Sequence, residues 1–258
     1  MDFKKAYDTV WRNGLFFKML KANISPGFVQ LLRDMYSKLR SCVQIQGGIS
    51  PYFDSLIGLK QGCNLSPILF NLFINSLIHH INSANPDSPM LDNIQVSCLF
   101  YADDLVILSE TKVGLQKSLD ALNHYIQKWF LEVNPKKTKC LTFSRGRAAK
   151  TADTFKLGST ILDNCDSYCY LGVIFCKSVS INAASKALHD KALGAMFSLL
   201  RNINRHNACK FEILVDLFEK MVLPIALYNS EVWGSGMIPV NGNNIDFFNP
   251  ISISKHLV

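Results

Sequence analysis

Two adjacent aspartates interrupt an apolar run near the middle of the chain, in the segment Phe-Tyr-Ala-Asp-Asp-Leu-Val-Ile-Leu at residues 100–108. The apolar residues on both sides have strand character, so the segment predicts a hairpin with Asp103 and Asp104 at its turn. Adjacent carboxylates repel each other, and Mg²⁺, which prefers hard oxygen ligands on a rigid support, would neutralise them. A solvated turn is the alternative, and the segment alone favours it because aspartate is common in turns.

The composition narrows the class of protein without deciding it. The chain has 258 residues, of which 48% are hydrophobic and 18% charged, as in ordinary globular proteins. Its formal net charge of +7 favours a polyanionic partner. The basic residues after the aspartate hairpin predict a phosphate-tracking surface, with these members: Lys136, Lys139, Arg145, Arg147 and Lys150.

The eight cysteines are scattered and predict buried, reduced thiols rather than disulfides. A zinc site at Cys165, Cys169 and Cys176 is disfavoured because the chain has no Cys-x-x-Cys pair. No secretory signal follows Met1, so we expect an intracellular protein. The most apolar stretch, residues 65–81, is broken by polar side chains and predicts a buried helix rather than a membrane span.

The order of helical and strand-like patterns predicts an α+β fold. Short helices are expected at residues 15–23 and after Ser25, where a capping serine precedes a proline, and one long helix is expected from Ser66 through residue 81. Further predictions are a strand pair before Gly58, a helix at 112–133, strands at 140–143 and 170–175, and helices after about residue 180. We therefore expect three parts, residues 1–180, 181–233 and an irregular tail at 234–258.

Two other segments carry side chains suited to chemistry. Asp2 is followed five residues later by the aromatic ring of Tyr7, just before an apolar helical stretch. Residues 58–67 combine two glycines, an amide and a Ser-Pro helix start, so that a ligand can approach the backbone near a helix N-terminus. Taken alone, the first segment is an ordinary helix entry, and the second is better explained as an ordinary loop capped by Ser66.

Taken in order, these segments resemble the palm motifs of reverse transcriptases, especially those of non-LTR, LINE-type and jockey-like retrotransposons. The matching segments are DFKKAYDTV for motif A, LKQGCNLSPILFNLFIN for motif B, FYADDLVIL for motif C, LEVNPKKTKCLTF for motif D and YLGVIF for motif E. ALYNSEVWG at residues 226–234 is similar to a segment beyond the thumb helices of the same elements. The resemblance covers residues 2–234.

The resemblance implies a right-hand polymerase palm, an antiparallel sheet with packed helices, followed by a helical thumb. It implies that Asp2, Asp103 and Asp104, with the backbone carbonyl of Phe3, bind two Mg²⁺ ions, for which Mn²⁺ is a possible substitute. The partners implied are an RNA template, a DNA primer and deoxynucleoside triphosphates. Such a protein is expected in the cytoplasm and nucleus, without a membrane.

The remaining site residues follow from the same motifs. Tyr7 corresponds to a steric gate against the ribose 2′-hydroxyl, and Lys137, with Lys136 and Lys139 as rivals, to a catalytic lysine at the pyrophosphate. Residues implied in nucleotide binding, directly or through the supporting helix, are Gln61, Gly62, Ser66 and Pro67. Residues implied in positioning the primer are Tyr101, Tyr170, Leu171 and Gly172.

The sequence starts at the motif A aspartate, so the fingers, and any endonuclease region, are expected on the same full-length polypeptide. We expect Asp2 to be held from one side only and the chain alone to have little or no polymerase activity. One alternative is an inactive palm relic that binds nucleic acid. Another is an RNA-directed RNA polymerase, against which Tyr7 argues, or an intron maturase, which would need a longer basic region after the thumb.

Overall fold

The computed structural model describes residues 1–144, 153–178, 180–206 and 211–230. The predictions for Arg145, Arg147 and Lys150, and for the tail at 234–258, lie outside the described residues. In the described residues the chain divides into two compact units, one formed by residues 1–140 and 153–164, the other by residues 141–144 and 165–230. The predicted division at residue 180 stays a prediction.

Groups of helices and groups of short strands follow each other along the chain. The helices are α1 (Arg12–Lys21), α2 (Pro26–Ser37), α3 (Ser66–Ile74), α4 (Ser76–Ala84), α5 (Lys112–Trp129), α6 (Asn182–His206), α7 (Phe211–Met221) and α8 (Leu223–Ala226). The strands are β1 (Arg40–Ser41), β2 (Gln44–Ile45), β3 (Gly48–Ile49), β4 (Phe53–Asp54), β5 (Met90–Leu91), β6 (Ile94–Gln95), β7 (Cys98–Tyr101), β8 (Asp104–Ile107), β9 (Lys139–Cys140), β10 (Phe155–Leu157), β11 (Thr160–Asn164), β12 (Ser167–Tyr170) and β13 (Val173–Cys176).

The α+β class predicted from the sequence is confirmed, but the strands form several small sheets. Antiparallel pairs join β1 with β4, β2 with β3, β5 with β6, β7 with β8, and β12 with β13. A three-stranded sheet has the order β10-β11-β9, and β11 pairs with β9 in parallel. The predicted strand at 140–143 is shortened to β9.

The core of the first unit lies between its helices and the β7–β8 hairpin. Fully buried large side chains lie on α1, α2, α3, α4, α5 and β8 and include Leu15, Met19, Leu32, Phe70, Phe73, Leu77, Leu105, Leu119 and Leu122. Their helical spacing gives each helix one apolar face, and packing those faces together removes the side chains from water. The hairpin is thereby held against the helices by Leu105.

The long helix expected from Ser66 to residue 81 is wrong, because the structure ends α3 at Ile74 and begins α4 at Ser76. Two polar side chains from distant helices reach this break. Lys18 donates to the carbonyl of Phe73 and, at 2.6 Å, to the hydroxyl of Tyr125, which contacts the Ser76 hydroxyl at 2.8 Å. These bonds satisfy helix-end groups that a continuous helix would use itself, so the break is stabilised from outside the helix.

The buried Lys18 makes stability depend on pH. Its ammonium lies 3.7 Å from the ring centroid of Trp129, and burial, with a smaller contribution from Lys128, lowers the pKa of Lys18 to about 7. Above pH 7 the unfolded chain, with an ordinary lysine pKa near 10.4, therefore binds more protons than the folded one, so the free energy of unfolding rises with pH. Relative to Lys18→Met, we expect the wild type to gain roughly 2 kcal/mol between pH 7 and pH 9.

Urea unfolding of the two proteins at both pH values measures this difference. The exposed Lys21, one turn along α1, provides the control, and Lys21→Met should follow the wild type at both pH values. Equal pH slopes for the wild type and Lys18→Met would contradict the lowered pKa of Lys18.

Two smaller predictions need correction. Ser25 is the N-cap of α2 as expected, but its side chain makes no capping hydrogen bond with the helix. The described cysteines are free, but only Cys140 is buried and Cys169 is exposed, because short hairpins carry several of them at the surface. No described helix is long and apolar enough to cross a membrane.

The second unit consists of the β12–β13 hairpin and helices α6, α7 and α8. β13 packs against α6, where Val173, Ala184 and Leu188 are buried. A second buried cluster joins α6 to α8 and is formed by Ala192, Met196, Leu199, Val222 and Ala226. The helical character predicted after residue 180 is confirmed for the described residues.

Candidate active site

The backbone of residues 1–3 lies between β8 and residues 132–134. On one side the Leu105 amide donates to the Met1 carbonyl at 3.1 Å, and Asp2 pairs with Asp104. On the other side the Asn134 amide donates to the Asp2 carbonyl at 2.8 Å. The expectation that Asp2 is held from one side only is therefore wrong, since backbone hydrogen bonds fix it along both edges.

Strand register determines which side chains share a face of this small sheet. Residues paired across antiparallel strands project to the same face, so Asp2, Asp104 and Tyr101 lie together on one face. The opposite face is apolar and carries the buried side chains of Phe3 and Leu105. The core thus fixes the register that brings the two carboxylates to the exposed face.

The carbonyl of Phe3 is directed toward the hairpin. Along an extended segment, successive backbone groups point to opposite edges. The Asp2 carbonyl accepts its bond from Asn134, so the Phe3 carbonyl points to the other edge, where β8 lies. This is the edge at which the sequence resemblance places a metal-binding carbonyl.

The turn between β7 and β8 consists of Ala102 and Asp103, and Tyr101 pairs with Asp104 across it. Ala102 has φ of 53°, in the left-handed region that costs a non-glycine residue about 1 kcal/mol. Strain of this kind persists where the surrounding structure imposes it. Here the fixed register of β7 and β8 holds Asp103 at the tip of the hairpin.

Asp104 lies in a negative environment that opposes its ionisation. Burial raises the pKa of Asp104 above its ordinary value, and the charges of Asp103 and Asp2 raise it further. The terminal amine of Met1 and the ammonium of Lys137 act in the opposite direction. Nζ of Lys137 lies 3.2 Å from Oδ2 of Asp2, whereas Lys139 pairs with Asp163 at 2.7 Å. Of the motif D lysines, Lys137 thus contacts a predicted catalytic carboxylate.

The carboxylates fit a divalent cation in their chemistry. Asp2 and Asp104 supply hard oxygen ligands from neighbouring strands. Burial, and after it repulsion from Asp103 and Asp2, raises the pKa of Asp104, and a bound cation would relieve the repulsion. Within the described ranges, no group of three or more His, Cys, Asp or Glu side chains is arranged to hold a metal ion. The fit therefore rests on donor type and strand register, with only two of the three carboxylates paired across strands.

A buried arginine that sequence reasoning missed holds the loop ahead of α3. The Arg12 guanidinium donates to the carbonyls of Gly58 at 2.7 Å, Ser55 at 2.6 Å, Ile57 at 3.0 Å and Tyr36 at 3.2 Å. Gly58 has φ of 81°, and a Cβ there would lie 2.5 Å from the Asp8 carbonyl oxygen. Arg12 and this close approach together fix the start of the loop.

The same loop brings the predicted nucleotide-binding residues next to Tyr7. The Leu59 amide donates to the Tyr7 carbonyl at 2.7 Å, and the Gln61 side chain donates to Asp8 at 2.9 Å. The Tyr7 ring stacks on Phe70 with centroids 5.0 Å apart. Gly62 has φ of 78° and open space where a Cβ would stand.

Ser66 and Pro67 form the first turn of α3, with Leu65 as the N-cap. The Ser66 side chain is buried and donates to the Lys60 carbonyl at 2.6 Å. It therefore closes the loop onto the helix start instead of capping the helix.

The predicted primer-positioning residues of motif E lie in the second unit. Tyr170 pairs with Val173, and Leu171 and Gly172 form the turn of the β12–β13 hairpin. Tyr101 belongs to the first unit and is 64% exposed on the face that carries Asp2 and Asp104.

Comparison with known families identifies the class of protein to which this fold and its carboxylate site belong. Residues 1–175 match the family described as reverse transcriptase (RNA-dependent DNA polymerase), and the chain belongs to this family. The family uses divalent metal ions.

The relatives are proteins of non-LTR retrotransposons, as the motifs predicted. The chain is 27% identical over 244 residues to the "Probable RNA-directed DNA polymerase from transposon BS" of Drosophila melanogaster, covering 91% of this chain and 26% of the relative. It is 25% identical to the "RNA-directed DNA polymerase from mobile element jockey" of Drosophila funebris, over 91% of this chain and 25% of the relative. A third relative, the "Retrovirus-related Pol polyprotein from type-2 retrotransposable element R2DM" of Drosophila melanogaster, is 29% identical over 68% of this chain and 17% of its own length. The chain thus spans about a quarter of the first two relatives.

Proposed function

We propose that this chain is the palm and the first thumb helices of an RNA-directed DNA polymerase that adds deoxynucleotides to a DNA primer on an RNA template. The observation that carries the proposal is the pairing of Asp2 with Asp104 on the exposed face of a sheet whose other face is core. In this proposal residues 1–180 are the palm and residues 181–233 the thumb. Fingers, and any endonuclease region, would belong to the same longer polypeptide, which would occur in the cytoplasm and nucleus.

In the mechanism we propose, Asp2, Asp103, Asp104 and the carbonyl of Phe3 hold two Mg²⁺ ions, with Mn²⁺ as a substitute. The ions would activate the primer 3′-hydroxyl and stabilise the leaving pyrophosphate. Lys137, whose ammonium already lies beside Asp2, would neutralise or protonate the pyrophosphate. Its position at the edge of the carboxylates supports Lys137 over Lys136 and Lys139 for this role.

The incoming nucleotide would lie against the loop that Arg12 and Gly58 fix. Gln61 and Gly62 would contact the nucleotide and the template base pair, and the open space at Gly62 supports a close approach of the base pair. Ser66 and Pro67 would support this loop by fixing the start of α3. Tyr101, Tyr170, Leu171 and Gly172 would position the primer.

The experiment that tests the proposal is extension of a labelled DNA primer on an RNA template, with deoxynucleoside triphosphates and Mg²⁺, by the longer polypeptide that contains this chain. The wild type is compared with Asp103→Asn, a substitution at the tip of the hairpin, which should abolish extension of the primer. Salt-dependent binding of the primer–template duplex without incorporation would select the alternative of an inactive palm that only binds nucleic acid.

Tyr7 supplies a test of substrate choice. Its ring is held by stacking on Phe70, so it would block a ribose 2′-hydroxyl rigidly. Tyr7→Ala should raise ribonucleotide incorporation relative to deoxynucleotide incorporation by roughly tenfold to a hundredfold, the size of a single steric discrimination. Competition assays with matched dNTP and rNTP pairs measure the ratio. Tyr7→Phe keeps the ring and should keep the discrimination, and equal ratios for Tyr7→Ala and wild type would exclude the gate.

A further inference from the structure

The turn of the β12–β13 hairpin has an unusual backbone. Leu171 and Gly172 both have positive φ, 47° and 81°, as a tight two-residue hairpin turn requires. Glycine adopts this conformation readily, but leucine does not. The turn at Leu171 therefore needs support from another part of the chain.

Tyr228, 57 residues further on, supplies a contact to both turn residues. Its hydroxyl donates to the Leu171 carbonyl at 2.8 Å. A Cβ built on Gly172 would lie 3.0 Å from Cε1 of the Tyr228 ring, so the ring covers the side of the turn that glycine leaves open. A hydrogen bond and a ring edge thus act on adjacent residues of the same turn.

The tyrosine is itself anchored. It lies two residues after the end of α8, and α8 is fixed by Val222 and Ala226, which are buried against α6. The hairpin strand β13 packs on the same helix, where Val173 is buried. Because α6 supports both the hairpin and α8, the bond from Tyr228 to Leu171 closes a ring of contacts within the second unit.

We propose that Tyr228 is a positioning residue for the primer, which acts by holding the Leu171–Gly172 turn in its left-handed conformation. This inference rests on the proposed function, in which that turn contacts the primer end. The turn is at the surface, with Gly172 exposed, so nucleic acid can reach it. Tyr228, 44% exposed, supports the turn from one side only.

Tyr228→Phe tests the inference with little change to packing, because it removes only the hydroxyl. Amide hydrogen exchange over residues 170–173 should become about twofold to tenfold faster, as expected for the loss of one hydrogen bond. The affinity for a template carrying a recessed primer should fall by a similar factor relative to an unprimed template. In extension assays KM for the primer–template should rise while KM for the dNTP stays unchanged.

The matched control is Tyr52→Phe, which removes a hydroxyl from an exposed tyrosine of the first unit and should behave as wild type in each assay. Amide hydrogen exchange at the wild-type rate in Tyr228→Phe would show that Tyr228 does not support the turn. Faster exchange with an unchanged preference for primed template would overturn the positioning role. Failure of the longer polypeptide that contains this chain to extend the primer would refute the proposed function, while the binding preference still decides the role of Tyr228.

Discussion

Replacing Asp104 with asparagine should abolish nucleotide addition and, at the same time, stabilise the metal-free protein at neutral pH. We expect incorporation to fall about a thousandfold or more, because a lost metal ligand removes several kcal/mol of transition-state stabilisation. The gain in stability follows from the negative environment of Asp104, where burial and the charges of Asp103 and Asp2 raise the pKa of its carboxyl group.

The direction of the pH effect follows from this raised pKa. As pH rises from the ordinary pKa of an aspartate through the raised pKa of Asp104, the unfolded chain loses its proton first. The folded state then binds more protons than the unfolded one, so the free energy of unfolding falls over this window. An asparagine side chain carries no charge, so in EDTA the Asp104→Asn variant should have the higher melting temperature at pH 7, and this advantage should vanish in acid below the window.

Addition of Mg²⁺ should reverse the order of stability. A ligand that binds only the folded state stabilises it in proportion to the logarithm of its concentration, so Mg²⁺ should raise the melting temperature of the wild type and leave Asp104→Asn unchanged. The control is Asp92→Asn in an exposed turn with φ of 51°, where asparagine is tolerated. An Asp104→Asn variant with the wild-type melting temperature and the wild-type response to Mg²⁺ would contradict a metal site at Asp104.

Arg12→Ala should cause the largest loss of stability among the variants considered. Its buried guanidinium satisfies four backbone carbonyls and contacts the Ser55 hydroxyl at 3.3 Å. Removing it leaves several of these groups buried without a donor, so we expect the free energy of unfolding to fall by about 4 kcal/mol. This is a large fraction of the roughly 5–15 kcal/mol that stabilises a typical domain. Urea unfolding monitored by circular dichroism measures the loss.

Two further substitutions test whether the loss of stability in Arg12→Ala comes from the buried guanidinium. Arg12→Lys should recover little, because one ammonium cannot reach carbonyls spread over residues 36–58 as a planar guanidinium does. Arg33→Ala removes an exposed guanidinium that lies 5.3 Å from the Phe16 ring, and should cost less than about 1 kcal/mol. A small loss for Arg12→Ala, similar to that for Arg33→Ala, would show that the loop is held by other contacts.

The sequence predicted those helices and strands whose formation depends on residues close together in the chain. The β7–β8 hairpin follows from strand-forming apolar residues on both sides of a short turn, and the predicted helix at residues 112–133 is present as α5. α5 ends at Trp129, earlier than predicted, because Phe130 adopts a left-handed conformation for which the sequence has no glycine as a signal. The family, and through it the candidate site, could be predicted because five motifs occur in order.

Contacts between distant residues could not be predicted in this way. Arg12 and Lys18 both occupy apparently polar positions of a short amphipathic helix, yet each is buried by partners 24 to 107 positions away. The break at Asn75 has the same origin, since it depends on Lys18 and Tyr125 rather than on a proline or glycine. The support of Asp2 by residues 132–134 also leaves no local signal.

The way in which Asp2 is held has a consequence for how this protein can diverge. Its immediate supports are main-chain hydrogen bonds that involve Leu105, Met1 and Asn134, and such bonds are available to almost any amino acid. Substitutions at those neighbours can therefore accumulate while the carboxylate keeps its place, provided that the residues which face the core stay apolar. Insertion or deletion of a single residue would be far more harmful than substitution, because it would turn Asp2 to the wrong face of the sheet.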